Sequence, residues 1–299
     1  MKRALVVLLM ALAACDAAPG DAPATQSSGG AIGDLPAFFD CLRTRGLTTL
    51  SAHRGGPAPG FAENAIPTFE NTLRIASHAL LEVDVSQTAD GVLVLMHDER
   101  IERTTTGSGA VRELDLAQLL AFTLQDERGR AVDARAPTLR EALDWAEGRA
   151  ILELDIKRDI AFEDVVRDVE AAGAMRRVVF ITYSTAAAAR LARIAPQAMI
   201  YTSISSEQEL EALRRRDVDL SRIVAWVGSG RPDGDLIAAL DARGVEVRLG
   251  VFGDNRDYAS AASAGVHIVA VDDVLEAFRD LDDADGEPGF AAALCPVPR

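Results

Sequence analysis

Short segments rich in β-branched and aliphatic residues alternate with helix-forming segments along most of the chain. Eight segments have the length and composition of buried strands, namely Thr49–Ala52, Leu80–Val85, Ala150–Ile156, Val178–Tyr183, Met199–Ile204, Ile223–Val227, Val245–Val251 and His267–Val271. Between several of them lie segments with helical spacing, such as Leu139–Ala146, Ala186–Ile194, Glu207–Arg215 and Asp235–Ala242. Eight βα units in about 250 residues are typical of one α/β domain folded as a (β/α)8 barrel, the TIM barrel. In such a barrel, catalytic side chains lie at the carboxyl ends of the strands.

A further strand-like segment, Val92–Met96, follows the second strand without an intervening helix. Asp90-Gly91 separates the two apolar runs, and this dipeptide is a strong hairpin signal because glycine accepts the positive φ that such turns require. The sequence therefore predicts a barrel with an extra hairpin strand after strand two.

The second predicted strand carries two acids among apolar residues. Because side chains alternate along a strand, Glu82 and Asp84 project from the same face. Burying unpaired carboxylates is costly, and a metal ion or a basic partner is the usual compensation. The returning strand then leads to His97, and histidine is the side chain best suited to proton transfer near neutral pH. The hairpin is therefore a candidate for half of an active site.

Other charged residues stand at the ends of neighbouring strands. His53 and Arg54 follow the first strand, and the third ends in Asp155 and Lys157, with Glu153 on the same face. Carboxylate ligands favour a hard divalent cation such as Mg²⁺ or Ca²⁺ over zinc. Arginine and lysine supply donors for a phosphate group, and two histidines suit general acid and base catalysis. These strand ends therefore predict metal-assisted cleavage of a phosphodiester.

The N-terminal segment predicts export. Residues 1–14 combine a basic start with an apolar run, which is typical of a signal peptide and too short for a stable membrane span. Leu12-Ala13-Ala14-Cys15 resembles the lipobox of bacterial lipoproteins, which implies a lipid on the Cys15 thiol; an ordinary signal peptide cleaved nearby is the alternative. Residues 15–33 are expected to form a flexible tether, and residues 34–299 a single barrel domain. We therefore expect a protein anchored by lipid to a bacterial membrane, facing the periplasm or the cell exterior.

The charge of the chain limits the classes of ligand it is expected to bind, and its cysteines limit the disulfides it can form. The chain has 46 acidic and 31 basic residues, a formal net charge of −15 at pH 7. This balance gives no electrostatic reason to bind nucleic acid or an anionic lipid surface, so membrane contact is expected through the anchor only. Besides Cys15, the cysteines are Cys41 and Cys295. In an oxidising compartment they are expected either to form a disulfide between the two ends of the domain or to remain as two buried thiols.

The ordered set of motifs resembles the glycerophosphodiester phosphodiesterase family, whose members are metal-dependent hydrolases with a (β/α)8 barrel. The resemblance rests on His53-Arg54-Gly55, Ala62-Glu63-Asn64, Phe69, Glu82-x-Asp84, Asp90-Gly91, His97-Asp98, Arg103-Thr104-Thr105 and Asp155-Ile156-Lys157. It implies roles as follows: Glu82, Asp84 and Asp155 as metal ligands, His53 and His97 as the acid–base pair, Arg54 and Lys157 as phosphate-binding residues, and Glu63 and Asn64 as residues that organise the site around His53.

The chain departs from the family pattern at three places. Ala62 and Ala65 stand where the family usually has proline and threonine. The family commonly has Glu at the position of Asp155, and Glu153 is the alternative third ligand because it shares a face with Asp155. Val247–Val251, near the seventh barrel position, lacks the family's tryptophan, so the sequence does not define the pocket for the substrate's alcohol.

The resemblance implies hydrolysis of glycerophosphodiesters, such as glycerophosphocholine, to glycerol 3-phosphate and an alcohol with Mg²⁺ or Ca²⁺. The nucleophile is either water or the neighbouring glycerol hydroxyl. One alternative is a related barrel enzyme that acts on lysophospholipids or phosphoinositides. Another is a lipid-anchored binding protein without catalytic activity.

The sequence also leads to expectations for Arg103, for Asp272 and for one acidic run. Arg103 is expected to brace the loop after the hairpin. Asp272, at the end of the last strand, is expected either to line the barrel mouth or to cap the following helix. The acidic run Asp280–Asp285 is expected to form a solvated surface turn.

Overall fold

The computed structural model describes residues 34–231, 233–254, 256–285 and 294–295. Residues 1–33 lie outside the described part of the chain. The signal peptide, the lipid on Cys15 and the tether therefore stay predictions. The described residues form nine strands, β1 to β9: Thr49–Ala52, Leu80–Gln87, Leu93–Leu95, Leu152–Ile156, Val178–Thr182, Met199–Ser203, Ile223–Ser229, Glu246–Val251 and Ile268–Val271. Each predicted strand is present, with ends that differ by a few residues.

Eight of these strands close into a parallel barrel in the order β1-β2-β4-β5-β6-β7-β8-β9, with β9 pairing back to β1. Strand β3 is antiparallel to β2 and lies outside the ring. The turn between β2 and β3 contains Gly91 at φ 82°, which is the left-handed conformation expected of this turn. The prediction of a (β/α)8 barrel with an extra hairpin strand is confirmed.

The described residues also contain ten α-helices. In chain order, α1 to α10 span Leu35–Arg45, Ile66–Ile75, Leu116–Leu119, Leu139–Ala146, Phe162–Ala171, Thr185–Ile194, Glu207–Arg214, Gly234–Asp241, Tyr258–Ser263 and Val274–Asp285. No helix in this part of the chain is long and apolar enough to cross a membrane.

The expected surface turn at Asp280–Asp285 is wrong, because these residues form the last turns of α10. Val274, Ala277 and Leu281 are buried and follow one another at helical spacing. This apolar stripe packs on the barrel and overrides the local preference of an acidic run for solvent.

Helix α1 closes one end of the barrel. Its buried residues Leu35, Phe38, Phe39 and Leu42 form a cluster with side chains near the amino ends of the strands, including Leu80, Ile151, Val179, Met199, Val224 and Ile268. Because this end is sealed by apolar packing, solvent and ligands reach the barrel at the opposite end, where the strands terminate.

A segment with little regular structure covers part of that open end. Residues 98–138 lie between β3 and α4 and pack around a small apolar cluster that includes Met96, Ile101, Val111, Leu119 and Leu124. The same cluster contains Ala62 and Ala65 of the segment after β1. The two loops are therefore held together beside the barrel mouth.

A disulfide joins Cys41 of α1 to Cys295, with a Cα–Cα distance of 5.8 Å. The cysteines are 254 residues apart in the sequence, so the bond links α1 to the C-terminal part of the chain. Of the two expectations for Cys41 and Cys295, a disulfide or two buried thiols, the structure contains the disulfide.

Replacing Cys41 by Ser is expected to lower the free energy of unfolding by about 2–5 kcal/mol, because a cross-link across a long loop restricts the unfolded chain. Urea unfolding of the oxidised wild type and the variant measures the difference. The two proteins should unfold alike in a strong reductant. Equal stability of the oxidised proteins would contradict the prediction.

Candidate active site

Three acids meet at the carboxyl ends of β2 and β4. The two strands pair in parallel, with Glu82 beside Glu153 and Asp84 beside Asp155. Carboxylate oxygens of Glu82, Asp84 and Asp155 lie within 4.8 Å of one another. The structure thus brings together the three residues that the sequence analysis assigned to a metal.

Glu153, the alternative third ligand, is engaged deeper in the barrel. It is fully buried and accepts hydrogen bonds from Ser51 Oγ at 2.6 Å, Tyr201 OH at 2.8 Å and Arg248 Nη2 at 3.0 Å. Its carboxylate is therefore neutralised and saturated by protein groups, whereas Asp155 faces the other two acids.

The acid cluster carries unbalanced negative charge. Burial and the Asp84 carboxylate raise the pKa of Glu82 well above its usual range. Burial also disfavours ionised Asp84, but the Lys157 ammonium, 2.7 Å away, outweighs it and lowers the pKa of Asp84. Lys157 also lies 3.5 Å from Asp155. Three convergent carboxylates with one ammonium group beside two of them form a donor set that suits a hard divalent cation.

The segment after β1 supports this cluster. Asn64 Nδ2 donates to Asp84 Oδ2 at 2.8 Å, and Asn64 Oδ1 accepts the Asp84 backbone N–H at 2.9 Å. The backbone N–H of Arg54 donates to Glu82 Oε2 at 2.6 Å. Arg54 and Asn64 both have left-handed φ angles, of 53° and 56°. Such conformations are uncommon for residues other than glycine and are maintained here by the surrounding contacts.

Gly55 allows this segment to turn sharply beneath the site. Its φ is 80°, and a Cβ at this position would overlap the buried ring of Phe69 on α2. The glycine of the His-Arg-Gly motif is therefore needed because the ring of Phe69 packs directly against it.

His97 is oriented on both sides of its ring. Its Nδ1 lies 2.6 Å from Asp98 Oδ1, and its Nε2 lies 2.9 Å from Arg54 Nη2. Because a guanidinium can only donate, this network assigns the proton to Nδ1, and the Nε2 lone pair accepts the hydrogen bond from Arg54.

Arg103 links the two groups that hold Arg54 and His97. It donates to both Glu63 oxygens, at 2.8 and 2.7 Å, and to both Asp98 oxygens, at 2.6 and 3.0 Å. Glu63 in turn accepts from Arg54 Nη1 at 3.1 Å. The hydrogen bond from Arg103 lowers the pKa of Asp98 to about 2. Arg103, expected from sequence to brace a loop, therefore also contacts both carboxylates that orient the site.

His53 is paired with Asp272, from the end of β9. The His53 Nδ1 lies 2.8 Å from Asp272 Oδ1, and this hydrogen bond lowers the pKa of Asp272. The helix α10 is capped by the next residue, Asp273, whose Oδ1 accepts the Glu276 N–H at 3.0 Å. Of the two roles expected for Asp272, the structure thus places it at the barrel mouth.

Two cavities flank the acid cluster, and both are lined by Asp155 and Tyr183. The small cavity, of about 200 Å³, lies beside His53 and is also lined by Ser203, Trp226, Arg248 and Phe252. The large cavity, of about 580 Å³, lies beside His97 and is also lined by Ala110, Val111, Arg112 and Lys157. Tyr183 OH donates to Asp155 Oδ1 at 2.5 Å from the ridge between them. A ligand centred on the acid cluster therefore has one space on each side.

Several residues of the site were missed or only partly recognised in the sequence. Asp98 directly follows His97, and Tyr183 ends a predicted strand, so both positions offered a signal. Arg248 is a charged residue within an apolar strand, which indicates a buried partner. Arg103 belongs to a motif, and Asp98 is five residues before it, but its other partner, Glu63, is 40 residues away.

A model of the Glycerophosphoryl diester phosphodiesterase family matches residues 53–276. A glycerophosphodiester phosphodiesterase of Caldanaerobacter subterraneus is 27% identical over 160 residues, which are 51% of this chain and 65% of that protein. The uncharacterised protein YqiK of Bacillus subtilis is 29% identical over 157 residues, 50% of this chain and 64% of that protein. The matched segments therefore span less than two thirds of these relatives.

Similar solved structures cover a larger share of this chain than these sequence relatives do. The crystal structure of a glycerophosphoryl diester phosphodiesterase from Parabacteroides distasonis has a TM-score of 0.78 and 27% identity, covering 86% of this chain and 95% of that one. A phosphodiesterase from Oleispira antarctica, solved with the product sn-glycerol-3-phosphate, has a TM-score of 0.65 and 20% identity, covering 81% of this chain and 99% of that one. The family model covers most of the chain and the fold agrees with it, and the chain therefore belongs to the glycerophosphoryl diester phosphodiesterase family.

Proposed function

We propose that this protein hydrolyses glycerophosphodiesters to glycerol 3-phosphate and an alcohol in a metal-dependent reaction. The observation that carries the proposal is the convergence of Glu82, Asp84 and Asp155 within 4.8 Å, beside two histidines that each have a carboxylate partner. Family membership and the product complex of the Oleispira antarctica protein support the same substrate class.

The three acids would hold Mg²⁺ or Ca²⁺, since both prefer carboxylate oxygens. When bound, the cation supplies neutralising charge for the phosphoryl oxygens and for the cluster itself. Arg54 and Lys157 would hold the phosphate from the protein side, as their positions beside His97 and Asp84 allow.

Proton transfer falls to the two histidines. His97 is held by Asp98 at Nδ1, and its Nε2 would exchange the hydrogen bond from Arg54 for the proton that it transfers. His53 is held by Asp272 at Nδ1. One ring would take the proton of the attacking hydroxyl and the other would protonate the departing oxygen. The carboxylate partners keep each ring in one tautomer and orientation during both steps.

Turnover of glycerophosphocholine by the protein lacking residues 1–33 tests the proposal. We expect glycerol 3-phosphate to form with Mg²⁺ or Ca²⁺ and to stop on addition of EDTA. Product formation that persists in EDTA would contradict the metal requirement. Turnover of a lysophospholipid but of no glycerophosphodiester would assign the protein to the alternative substrate class.

Replacing Arg103 by Ala is expected to lower kcat/KM about 10–100-fold, because Glu63 and Asp98 lose their common partner and no longer orient Arg54 and His97. Added guanidinium ion should restore part of the activity. The matched control is Arg130→Ala, which removes a comparable ion pair with Asp126 in the same loop region. Equal losses in the two variants would show that Arg103 only braces the loop.

We propose further that the protein is exported and anchored by a lipid on Cys15. The support is the signal-like segment and the lipobox-like Leu12-Ala13-Ala14-Cys15. Metabolic labelling with an alkyne fatty acid should mark the wild type and not Cys15→Ala. Absence of label from the wild type would favour an ordinary signal peptide.

A further inference from the structure

Asp155 is held differently from the other two acids of the cluster. Glu82 and Asp84 each accept a hydrogen bond from the segment after β1, at 2.6 and 2.8 Å. Asp155 accepts from the hydroxyl of Tyr183 instead, at 2.5 Å on Oδ1. Its Oδ2 faces the Lys157 ammonium at 3.5 Å, but that group lies closer to Asp84, at 2.7 Å. Among the described residues, Tyr183 is therefore the one close hydrogen-bond donor to the Asp155 carboxylate.

The register of the barrel brings these two side chains together. In the β4–β5 pair, Asp155 lies beside Ile181, and Tyr183 follows two residues later. Because side chains alternate along a strand, Ile181 and Tyr183 project to the same side, with Tyr183 about 7 Å nearer the barrel mouth. Both line the small cavity. The tyrosine is long enough to span this offset, and its hydroxyl meets the carboxylate on the neighbouring strand.

Packing does not explain the position of Tyr183. The residue is 56% exposed, so the apolar core gains little from its ring. Its phenol is protonated at neutral pH and donates a hydrogen bond without carrying a charge. Such a donor orients a carboxylate and leaves its negative charge to a cation, whereas a lysine or arginine in its place would pair with that charge. The contact therefore suits an acid that ligates a metal.

The hydroxyl of Tyr183 also limits which acid fits at position 155. A distance of 2.5 Å is the short end of the range for a hydroxyl that donates to a carboxylate, so the two groups are in full contact. A glutamate in place of Asp155 would carry one more methylene, about 1.5 Å of extra reach. Its carboxylate would then collide with the phenol oxygen. The acid on β4 and the hydroxyl after β5 therefore fill one space together.

We propose that Tyr183 is a positioning residue of the metal site: its hydroxyl fixes the Asp155 carboxylate in the place where it can share a cation with Glu82 and Asp84. The role depends on the combination of a short acid at position 155 with a hydroxyl at position 183. Either change alone therefore disturbs the site, and the two changes together restore it. This inference rests on the proposed function, because the cation is the one that the proposed reaction requires.

Calorimetric titration of the substrate-free protein with Mg²⁺ and with Ca²⁺ tests the inference. Tyr183→Phe removes only the hydroxyl and should raise the Kd of the cation about 10–100-fold, the usual effect of losing a hydrogen-bond partner of a metal ligand. Asp155→Glu should also weaken binding, because the longer acid meets the hydroxyl. The double variant Tyr183→Phe/Asp155→Glu should bind at least about fivefold more tightly than either single variant, since the added methylene takes the space of the lost hydroxyl. A side chain that only supports the fold would not show this rescue.

Tyr201→Phe is the matched control. Tyr201 donates to Glu153 at 2.8 Å, so this variant also removes a tyrosine–carboxylate hydrogen bond from β4, two residues before Asp155. Because Glu153 lies outside the acid cluster, the Kd of the cation should stay within about twofold of the wild-type value. Weaker metal binding in Tyr201→Phe together with an unchanged Kd in Tyr183→Phe would overturn the inference and make Glu153 the third ligand.

Steady-state kinetics distinguishes positioning from direct catalysis. In Tyr183→Phe the metal concentration that gives half the maximal rate should rise with the Kd, while kcat at saturating metal should stay within about threefold of the wild-type value. A kcat that stays far below this range at saturating metal would overturn the inference, because the hydroxyl would then act on the substrate.

The outcomes separate the two proposals. An unchanged Kd in Tyr183→Phe, or a double variant without the rescue, would overturn the inference even if glycerophosphocholine is hydrolysed. Metal binding with the expected rescue but without hydrolysis of any glycerophosphodiester would leave the inference standing and contradict the proposed function. If the wild type binds neither cation, the inference is wrong.

Discussion

Replacing Glu82 by Gln is expected to lower kcat/KM at least about 10³-fold, which corresponds to about 4 kcal/mol of transition-state stabilisation. The substitution removes one of three metal-ligating carboxylates but keeps an oxygen that accepts the Arg54 N–H. In the metal-free protein the same change should raise the Tm by about 2–4 °C, because it removes a buried charge that Asp84 repels. A variant that is inactive and yet more stable without metal is a specific signature of a metal-ligating acid.

The pH dependence of this stabilisation has a defined sign. The pKa of Glu82 is raised on folding, so its repulsion is absent at low pH, where the carboxyl is protonated, and grows as the pH rises through the raised pKa. The difference in Tm between Glu82→Gln and the metal-free wild type should therefore widen with increasing pH. Thermal unfolding between acid and neutral pH measures it.

Glu153→Gln is the matched control, because Glu153 is the neighbour of Glu82 across the β2–β4 pair. It should be less stable than the wild type, since Arg248 loses its buried counter-charge, but Mg²⁺ or Ca²⁺ should still raise its Tm. Loss of that metal response in Glu153→Gln and its retention in Asp155→Asn would mean that Glu153 is the third ligand.

Replacing His97 by Gln is expected to lower kcat about 10²–10⁴-fold, the usual contribution of general acid or base catalysis. The glutamine can still accept from Arg54 but cannot shuttle a proton. The rise in Tm on adding Mg²⁺ or Ca²⁺ should be preserved, because the acid cluster is unchanged. Single-turnover rates separate the chemical step from substrate binding.

His78→Gln is a suitable control, since His78 precedes β2 at the sealed end of the barrel. It should retain wild-type kcat. If His97→Gln instead abolishes the metal-induced rise in Tm while keeping most of kcat, then His97 is a metal ligand rather than an acid–base group.

The strands and the acid pair could be predicted because each depends on residues close in sequence. Glu82 and Asp84 are two positions apart, and Asp90-Gly91 directs the chain back toward His97, so periodicity and turn chemistry were sufficient. The prediction of a surface turn at Asp280–Asp285 was wrong because the structure there depends on tertiary packing rather than on neighbouring residues. There the helix is set by apolar residues that pack on the barrel, and the local acidic composition is secondary.

The partner of His53 and the distant partners of Arg103 and Arg248 depend on the tertiary structure. Asp272 is 219 residues from His53 and reaches it only because β9 pairs with β1 as the barrel closes. Arg103 comes from an irregular loop whose packing on the segment after β1 brings it between Glu63 and Asp98. Arg248 crosses the barrel interior to reach Ser51 and Glu153. Apart from Arg103 and Asp98, which are five residues apart, none of these pairs has a sequence spacing that predicts contact.

The sequence by itself determined the strand count, the extra hairpin, the acids on one face of β2 and the two histidines at strand ends. These follow from side-chain alternation and turn preferences, which act over a few residues. The tertiary structure alone decided which carboxylate orients His53, which arginine links Glu63 to Asp98, and which cation lines the small cavity. These choices depend on barrel closure and loop packing, which place residues from distant parts of the chain within hydrogen-bond distance.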